Sequence, residues 1–236
     1  MFSSKLPPFR IFYDNGEEYH VLKNEVFTDG VYYFETENPS PKIIDAGAHI
    51  GLATLYFKKV YPAARVVAIE PNPETFPLLE KNVFENQLDG VELHQVTLAA
   101  GAGEAEFFLD SSSHQWWSTS GFSPRAWNGA QTTQSLLVKT EPLATFLDEP
   151  IDFLKMDIEG AEQEVLLATG EKIEQVRHLL LEFHPTSHQS LPKLVEFLRL
   201  HGFKVTLWQN GKEVEMRKVK GLVYIEALFS KYRNRD

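Results

Sequence analysis

The segment from residue 43 to residue 51, Ile-Ile-Asp-Ala-Gly-Ala-His-Ile-Gly, constrains the fold of this chain more than any other stretch. An apolar run ends in Asp45 and in a turn that contains Gly47 and Gly51, and a helix pattern follows. A second apolar run ends at Glu70, nineteen residues after Gly51 (70 minus 51). This order is typical of a nucleoside-binding α/β domain, in which the glycines let a ligand approach the main chain and the carboxylate binds the ribose hydroxyls.

The glycine turn differs from the dinucleotide fingerprint, because His49 stands where that fingerprint has its middle glycine. A bulky ring at this position argues against a pyrophosphate, whereas Asp45 could receive the ammonium group of an amino acid tail through water. The turn therefore favours S-adenosylmethionine over NAD. The predicted cofactor-binding residues are Asp45, Gly47, Ala48, His49, Gly51, Glu70, Pro71, Asn72 and, from a later segment, Asp157.

The composition is compatible with one domain. The chain has 236 residues with 43% hydrophobic content, and no linker composition divides it. We predict an extension over residues 1–40, a small hairpin that acts as a lid or as an edge cover, and a domain over residues 41–236 with an inserted loop at 111–133.

The net charge and the residue usage narrow the partners and the compartment. A formal charge of −10 disfavours nucleic acid, so we expect a small-molecule acceptor. The sequence contains no cysteine, no apolar run long enough for a membrane span and no apolar signal-peptide core. These features predict a cytoplasmic protein with no membrane partner. The oligomeric state stays open, and a homodimer is compatible with the sequence.

Strand and helix patterns alternate along most of the chain. They predict an α/β fold with a mostly parallel twisted sheet and helices on both faces. The end differs, since residues 203–229 have the pattern of antiparallel strands with a turn at Asn210-Gly211. We therefore expect a C-terminal antiparallel hairpin on the parallel sheet.

A second group of polar residues follows two later strand patterns. Asp157 and Glu159 come after one apolar strand, and Glu182 and His184 end the next. The carboxyl ends of parallel strands form the ligand side of such sheets. We predict His184 as a general base, with Asp157 or Glu159 orienting it or the acceptor, and Glu182 as an acceptor contact that also pairs with Lys155.

Each of these residues also has a structural interpretation. Asp157 could cap a helix, Glu159 could be placed by a helix dipole, and His184 could bond a backbone carbonyl. The same side chains are ligands that Mg²⁺ or Mn²⁺ accepts, so the sequence leaves a divalent metal open without favouring it.

Aromatic and polar residues of the inserted loop are candidates for acceptor binding. His114, Trp116 and Trp117 lie in a polar segment, where exposed rings suit stacking on a sugar or planar acceptor. The alternative is that the rings fold back over the core.

The segments 44–51, 70–73, 154–162 and 181–184 together resemble the FkbM-type S-adenosylmethionine-dependent methyltransferases. The block Lys-Met-Asp-Ile-Glu-Gly-Ala-Glu at 155–162 is the most specific part of the resemblance. The resemblance implies the Rossmann-like class I methyltransferase fold, S-adenosylhomocysteine as product, and methylation of an oxygen on a sugar or other small metabolite. Asparagine is common in that family where this chain has His49. The alternatives are an NAD-dependent oxidoreductase, a nucleic-acid methyltransferase and a non-catalytic binding module.

Overall fold

The computed structural model describes residues 1–110 and 133–230. Its strands, in chain order, are β1 (Phe2–Leu6), β2 (Phe9–Tyr13), β3 (Lys42–Ala46), β4 (Arg65–Ile69), β5 (Val91–His94), β6 (Thr97–Ala99), β7 (Gly103–Asp110), β8 (Thr133–Pro142), β9 (Ile151–Met156), β10 (Val176–Phe183), β11 (Phe203–Gln209), β12 (Lys212–Glu213) and β13 (Val223–Phe229). The α-helices are α1 (Gly16–Lys23), α2 (Leu52–Val60), α3 (Phe76–Glu85), α4 (Glu162–Ala168) and α5 (Leu191–Leu200).

The main sheet has the strand order β12, β11, β13, β10, β9, β3, β4, β5. The neighbours from β10 to β5 are all parallel, whereas β13 runs antiparallel to both β10 and β11. Every residue of β9 is buried, as expected for a parallel strand that is covered on both faces. The predicted α/β fold with an antiparallel C-terminal end is confirmed.

Successive residues of β3 pack on opposite faces of the sheet, because side chains alternate along a strand. Ile43 packs with Phe57 of α2 on one face. Ile44 packs with Val165 of α4 and Leu194 of α5 on the other. The helices therefore cover both faces, and the carboxyl ends of the parallel strands are left as the open edge.

The N-terminal extension contains the predicted hairpin, in which β1 and β2 pair antiparallel. The prediction of strands alone was incomplete, because α1 and a π-helical segment (Asn24–Asp29) follow the hairpin. The side chain of Asn15 accepts hydrogen bonds from the amides of Glu17 and Glu18 and so begins α1. The extension joins the main domain through Asn82 of α3, whose amide group accepts from and donates to the backbone of Phe12.

A small second sheet has the order β6, β8, β7, in which β7 pairs antiparallel with β8. The insertion follows β7. His114, Trp116 and Trp117, the predicted acceptor contacts, lie outside the described residues. Within residues 1–110 and 133–230, no helix is both long and apolar enough to cross a membrane.

Candidate active site

A cavity of about 550 Å³ opens at the carboxyl ends of the parallel strands. The ends of β4, β3, β9 and β10 lie side by side along it, because these strands are consecutive neighbours in the sheet. Helix α1 and the π-helical segment supply one wall through Glu18, Leu22, Glu25 and Val26. The size falls in the range of small-molecule and cofactor sites.

The turn after β3 is held against the ends of both neighbouring strands. The amides of Gly47 and Ala48 both donate to the carbonyl of Ile69 at 2.9 Å, and the amide of Asp157 donates to the carbonyl of Ala46 at 3.0 Å. Gly47 has a φ of 81°, in the left-handed region that favours glycine. The glycine therefore allows the β3 and β9 ends to meet beneath the cavity.

Glu70 is fixed at the cavity wall by three hydrogen bonds. Its carboxylate accepts from the amide of His49 at 2.8 Å, the amide of Asn72 at 2.9 Å and the hydroxyl of Thr75 at 3.1 Å. The side chain is 6% exposed and lines the cavity. A carboxylate held this firmly has few conformations to lose when a ligand hydroxyl binds to it.

Most predicted cofactor residues line this cavity, namely Gly47, Ala48, His49, Glu70, Pro71, Asn72 and Asp157. Gly51 does not line it, because it is the N-cap of α2 and packs against Leu79.

Asp45 is the second exception, and its predicted contact with a cofactor ammonium group through water stays a prediction. The side chain is fully buried and does not line the cavity. It accepts a hydrogen bond from the hydroxyl of Thr54 at 2.7 Å, and Nζ of Lys155 lies 3.3 Å from its other oxygen. The cationic partner of Asp45 therefore comes from the protein itself.

Lys155 forms ion pairs with Asp45 and, at 3.9 Å, with Asp157. The expected pairing with Glu182 is not among its ion pairs. Burial lowers the pKa of Lys155, but the charges of Asp45 and Asp157 outweigh burial and raise it. The ammonium group stays charged and also donates to the carbonyl of Gly47, so it fastens the glycine turn to β9.

His184 lies at the centre of four carboxylates and is 1% exposed. Nδ1 lies 2.9 Å from Oε1 of Glu162, to which it donates a hydrogen bond. Nε2 lies 3.6 Å from Oε2 of Glu159, 3.7 Å from Oε1 of Glu182 and 3.9 Å from Oδ1 of Asp157. The structure thus brings together all four polar residues that the sequence placed at these two strand ends.

Glu162 is the residue that the sequence analysis missed. Its carboxylate is fully buried and accepts from the amide of Gly160 at 2.9 Å and from Nε2 of Gln189 at 2.7 Å, as well as from His184. The same Gln189 nitrogen donates to the carbonyl of His184 at 2.7 Å. The available signal was its position in the 155–162 block, but a glutamate in the first turn of a helix is usually explained by the helix dipole alone.

The charges around His184 change its pKa. Burial lowers the pKa, but the hydrogen bond to Glu162 and the charges of Glu159, Glu162 and Asp157 raise it to about 10. Burial and the charge of Asp157 raise the pKa of Glu182 to about 8. A general base needs a free electron pair on Nε2, so this role of His184 requires the neutral ring and stays a prediction.

The strand order and the cavity at the strand ends define a class I methyltransferase fold. Residues 45–205 match the sequence model described as the methyltransferase FkbM domain, and the chain therefore belongs to the FkbM methyltransferase family. This membership confirms the resemblance found in the sequence and sets aside the oxidoreductase alternative.

Three relatives illustrate the range of similarity. Methyltransferase sdnD of Sordaria araneosa is 30% identical over 223 residues, which cover 80% of this chain and 83% of that protein. Methyltransferase 1 of Beauveria bassiana is 30% identical over 63% of this chain and 66% of its own length. The 2-O-methyltransferase NoeI of Sinorhizobium fredii is 25% identical over 62% of this chain and 65% of its own length.

The fold also resembles a solved structure of the same family. The crystal structure of methyltransferase FkbM from Methylobacillus flagellatus KT superposes with a TM-score of 0.52 and 17% identity. The superposition covers 90% of this chain and 55% of that chain.

Proposed function

We propose that this protein transfers a methyl group from S-adenosylmethionine to an oxygen of a small-molecule acceptor. The order of the strand ends carries the proposal. Glu70 follows β4 and His184 follows β10, while the turns after β3 and β9 lie between them. Three strand spacings of about 4.8 Å separate these two ends by about 14 Å. We assign the ribose to the Glu70 end and the acceptor to the His184 end.

The charge of the cavity fits a sulfonium cofactor. Six acidic side chains line it, namely Glu18, Glu25, Glu70, Asp157, Glu159 and Glu182. Among the described lining residues, Lys155 is the one lysine or arginine, and it is already paired with Asp45 and Asp157. A pyrophosphate would be repelled here, whereas a cation with a ribose is attracted.

The polar residues at the two ends have different roles in this proposal. Glu70 accepts hydrogen bonds from the ribose hydroxyls. When bound, the cofactor supplies an electrophilic methyl group. Asp157 and Glu159 orient the acceptor hydroxyl, which loses its proton to water at this end of the cavity. Correct positioning of two reactants contributes at best about 7–11 kcal/mol to lowering a barrier.

Three observations favour an oxygen on a small molecule as acceptor. Carboxylates accept hydrogen bonds from hydroxyl groups, and those of Asp157 and Glu159 lie at the acceptor end. The net charge of −10 disfavours the phosphate contacts that dominate nucleic-acid binding. NoeI, a relative, is named a 2-O-methyltransferase, which supports oxygen as the acceptor atom.

Product analysis with S-adenosylmethionine that carries a deuterated methyl group tests the proposal. The panel contains sugars, other alcohols, carboxylic acids and amines, and mass spectrometry with NMR locates the label. We expect the label on oxygen, and a loss of about 10²-fold or more in Asp157→Asn if this residue orients the acceptor. Glu164→Gln, on the exposed side of α4, is the matched control. A label on nitrogen or carbon would overturn the proposal.

A further inference from the structure

The acceptor end of the cavity contains a group of metal-ligand side chains. In the described part of the chain, one ligand atom each from Asp157, Glu159 and His184 lie within 4.8 Å of one another. Adjacent ligands at about 2.1 Å from a shared cation are about 3.0 Å apart, and opposite ligands are about 4.2 Å apart. The separations of 3.6 Å and 3.9 Å from Nε2 to the two carboxylates fall between these values. Small side-chain rotations would bring the three atoms onto one ion.

The imidazole of His184 is already oriented for such an ion. Its Nδ1 is bound to the buried carboxylate of Glu162, so Nε2 is the nitrogen that points to Asp157 and Glu159. Gln189 holds both the second oxygen of Glu162 and the carbonyl of His184. Metal-binding histidines are typically fixed in this way, by a carboxylate on the nitrogen that does not bind the metal.

Two further observations at this group are independent of the histidine. Oδ1 of Asp157 is buried and accepts no hydrogen bond from the described residues. Glu159 has a φ of 56°, a backbone conformation that is strained for a residue with a side chain. The strained turn places Oε2 of Glu159 near Nε2 of His184 rather than in solvent. Both features have a use if a cation lies between the carboxylates.

We propose that Asp157, Glu159 and Nε2 of His184 bind one divalent cation, Mn²⁺ or Mg²⁺, whose open positions hold water and the acceptor hydroxyl. Two carboxylate oxygens and one imidazole suit Mn²⁺, and Mg²⁺ is bound by few carboxylates while it keeps several waters. A cation there would offset the excess of acidic side chains and lower the pKa of the acceptor hydroxyl. The proposed binding of the cation follows from these side chains alone. The part of the cation in the reaction rests on the proposed function.

The methyl transfer needs no reactant other than the cofactor, the acceptor and water. The acceptor oxygen forms a bond to the methyl carbon as the carbon–sulfur bond breaks, and that electron pair returns to sulfur. The hydroxyl proton goes to water at the open face of the cation. Nothing is oxidised or reduced.

Electron paramagnetic resonance of Mn²⁺ tests the binding directly. The full chain is treated with EDTA, exchanged into metal-free buffer and titrated with Mn²⁺, and Mg²⁺ is then added as competitor. We expect one Mn²⁺ per chain, with affinity at least tenfold weaker in Asp157→Asn and in Glu159→Gln. Glu164→Gln, the control, should bind as the wild type does. Circular dichroism establishes that each variant is folded.

The nitrogen ligand has its own signature. Electron spin echo spectra of bound Mn²⁺ should show coupling to an imidazole nitrogen, and His184→Gln should abolish it. If His184→Gln does not fold, the Mn²⁺ affinity of Glu159→Gln still tests the proposal, because the side chain of Glu159 is partly exposed. Folded, metal-free wild type that binds no Mn²⁺ would overturn the proposal. Asp157→Asn and Glu159→Gln that bind as tightly as the wild type would do the same.

The reaction distinguishes this inference from the proposed function. An O-methylated product that forms equally fast with EDTA would remove the cation from the reaction and leave the proposed function intact. An N-methylated product together with site-specific Mn²⁺ binding would overturn the proposed function and leave the metal site standing.

Discussion

The carbonyl oxygen of Asp157 occupies the place that a side chain on Gly47 would take. A Cβ built on Gly47 would lie 1.7 Å from this oxygen. Backbone rather than a flexible side chain is in the way, so the two strand ends would have to separate. This contact joins the predicted cofactor turn to the predicted acceptor site. A substitution at Gly47 or Asp157 should therefore disturb both the cofactor turn and the acceptor site.

Gly47→Ala should destabilise the protein and disturb the cavity. The φ of 81° disfavours alanine by about 1–2 kcal/mol. The clash with the Asp157 carbonyl adds about 1–3 kcal/mol, as for other overpacked sites. Urea unfolding followed by circular dichroism measures the change in the free energy of unfolding.

Gly170→Ala separates the two contributions, because Gly170 has a φ of 54° and open space around it. We expect this control to lose only the conformational part. Equal losses in Gly47→Ala and Gly170→Ala would show that the close approach to Asp157 is unimportant.

Lys155→Met should destabilise the protein by about 3–5 kcal/mol, because it leaves the fully buried Asp45 without its cation. The double variant Lys155→Met/Asp45→Asn should recover part of this loss, since no unpaired charge remains. Unfolding of both single variants and of the double variant gives the coupling energy. Losses that simply add would mean that Lys155 and Asp45 act independently.

Glu162→Ala should destabilise the protein by about 3–5 kcal/mol, because it removes the buried partner of His184. Three donors then lose the carboxylate as an acceptor, namely the imidazole, the amide of Gly160 and the side chain of Gln189. Thermal and urea unfolding measure the effect. The exposed neighbour Glu164→Ala is the control, and a Glu162→Ala variant as stable as this control would refute the structural role.

The sequence predicted the local features well, because they depend on short patterns. The glycine turn and the strand-end carboxylate Glu70 each follow from a few adjacent residues. The proximity of Asp157 and Glu159 to Glu182 and His184 was also predicted, since parallel strands end at the same edge of a sheet.

What the sequence did not predict depends on partners that are distant along the chain. Asp45 is paired by Lys155 from another strand, and nothing in the glycine turn reveals this. Glu162 depends on His184 and Gln189, which lie beyond the next strand. Helix α1 was not predicted, and it packs on the N-terminal hairpin through aromatic rings. Tyr13 and Tyr19 stack on each other although one lies in a strand and the other in a helix.

Calorimetric titration with S-adenosylmethionine, S-adenosylhomocysteine and NADH tests the assignment of the cavity most directly. We predict that the first two bind with micromolar affinity, about −8 kcal/mol, and that NADH does not bind. Glu70→Gln should weaken S-adenosylmethionine binding by about tenfold or more, since the loss of charge-assisted hydrogen bonds costs about 1.5–3 kcal/mol. Glu80→Gln, an exposed residue of α3, should bind as the wild type does. Binding of NADH, or S-adenosylmethionine binding that Glu70→Gln leaves unchanged, would contradict the account.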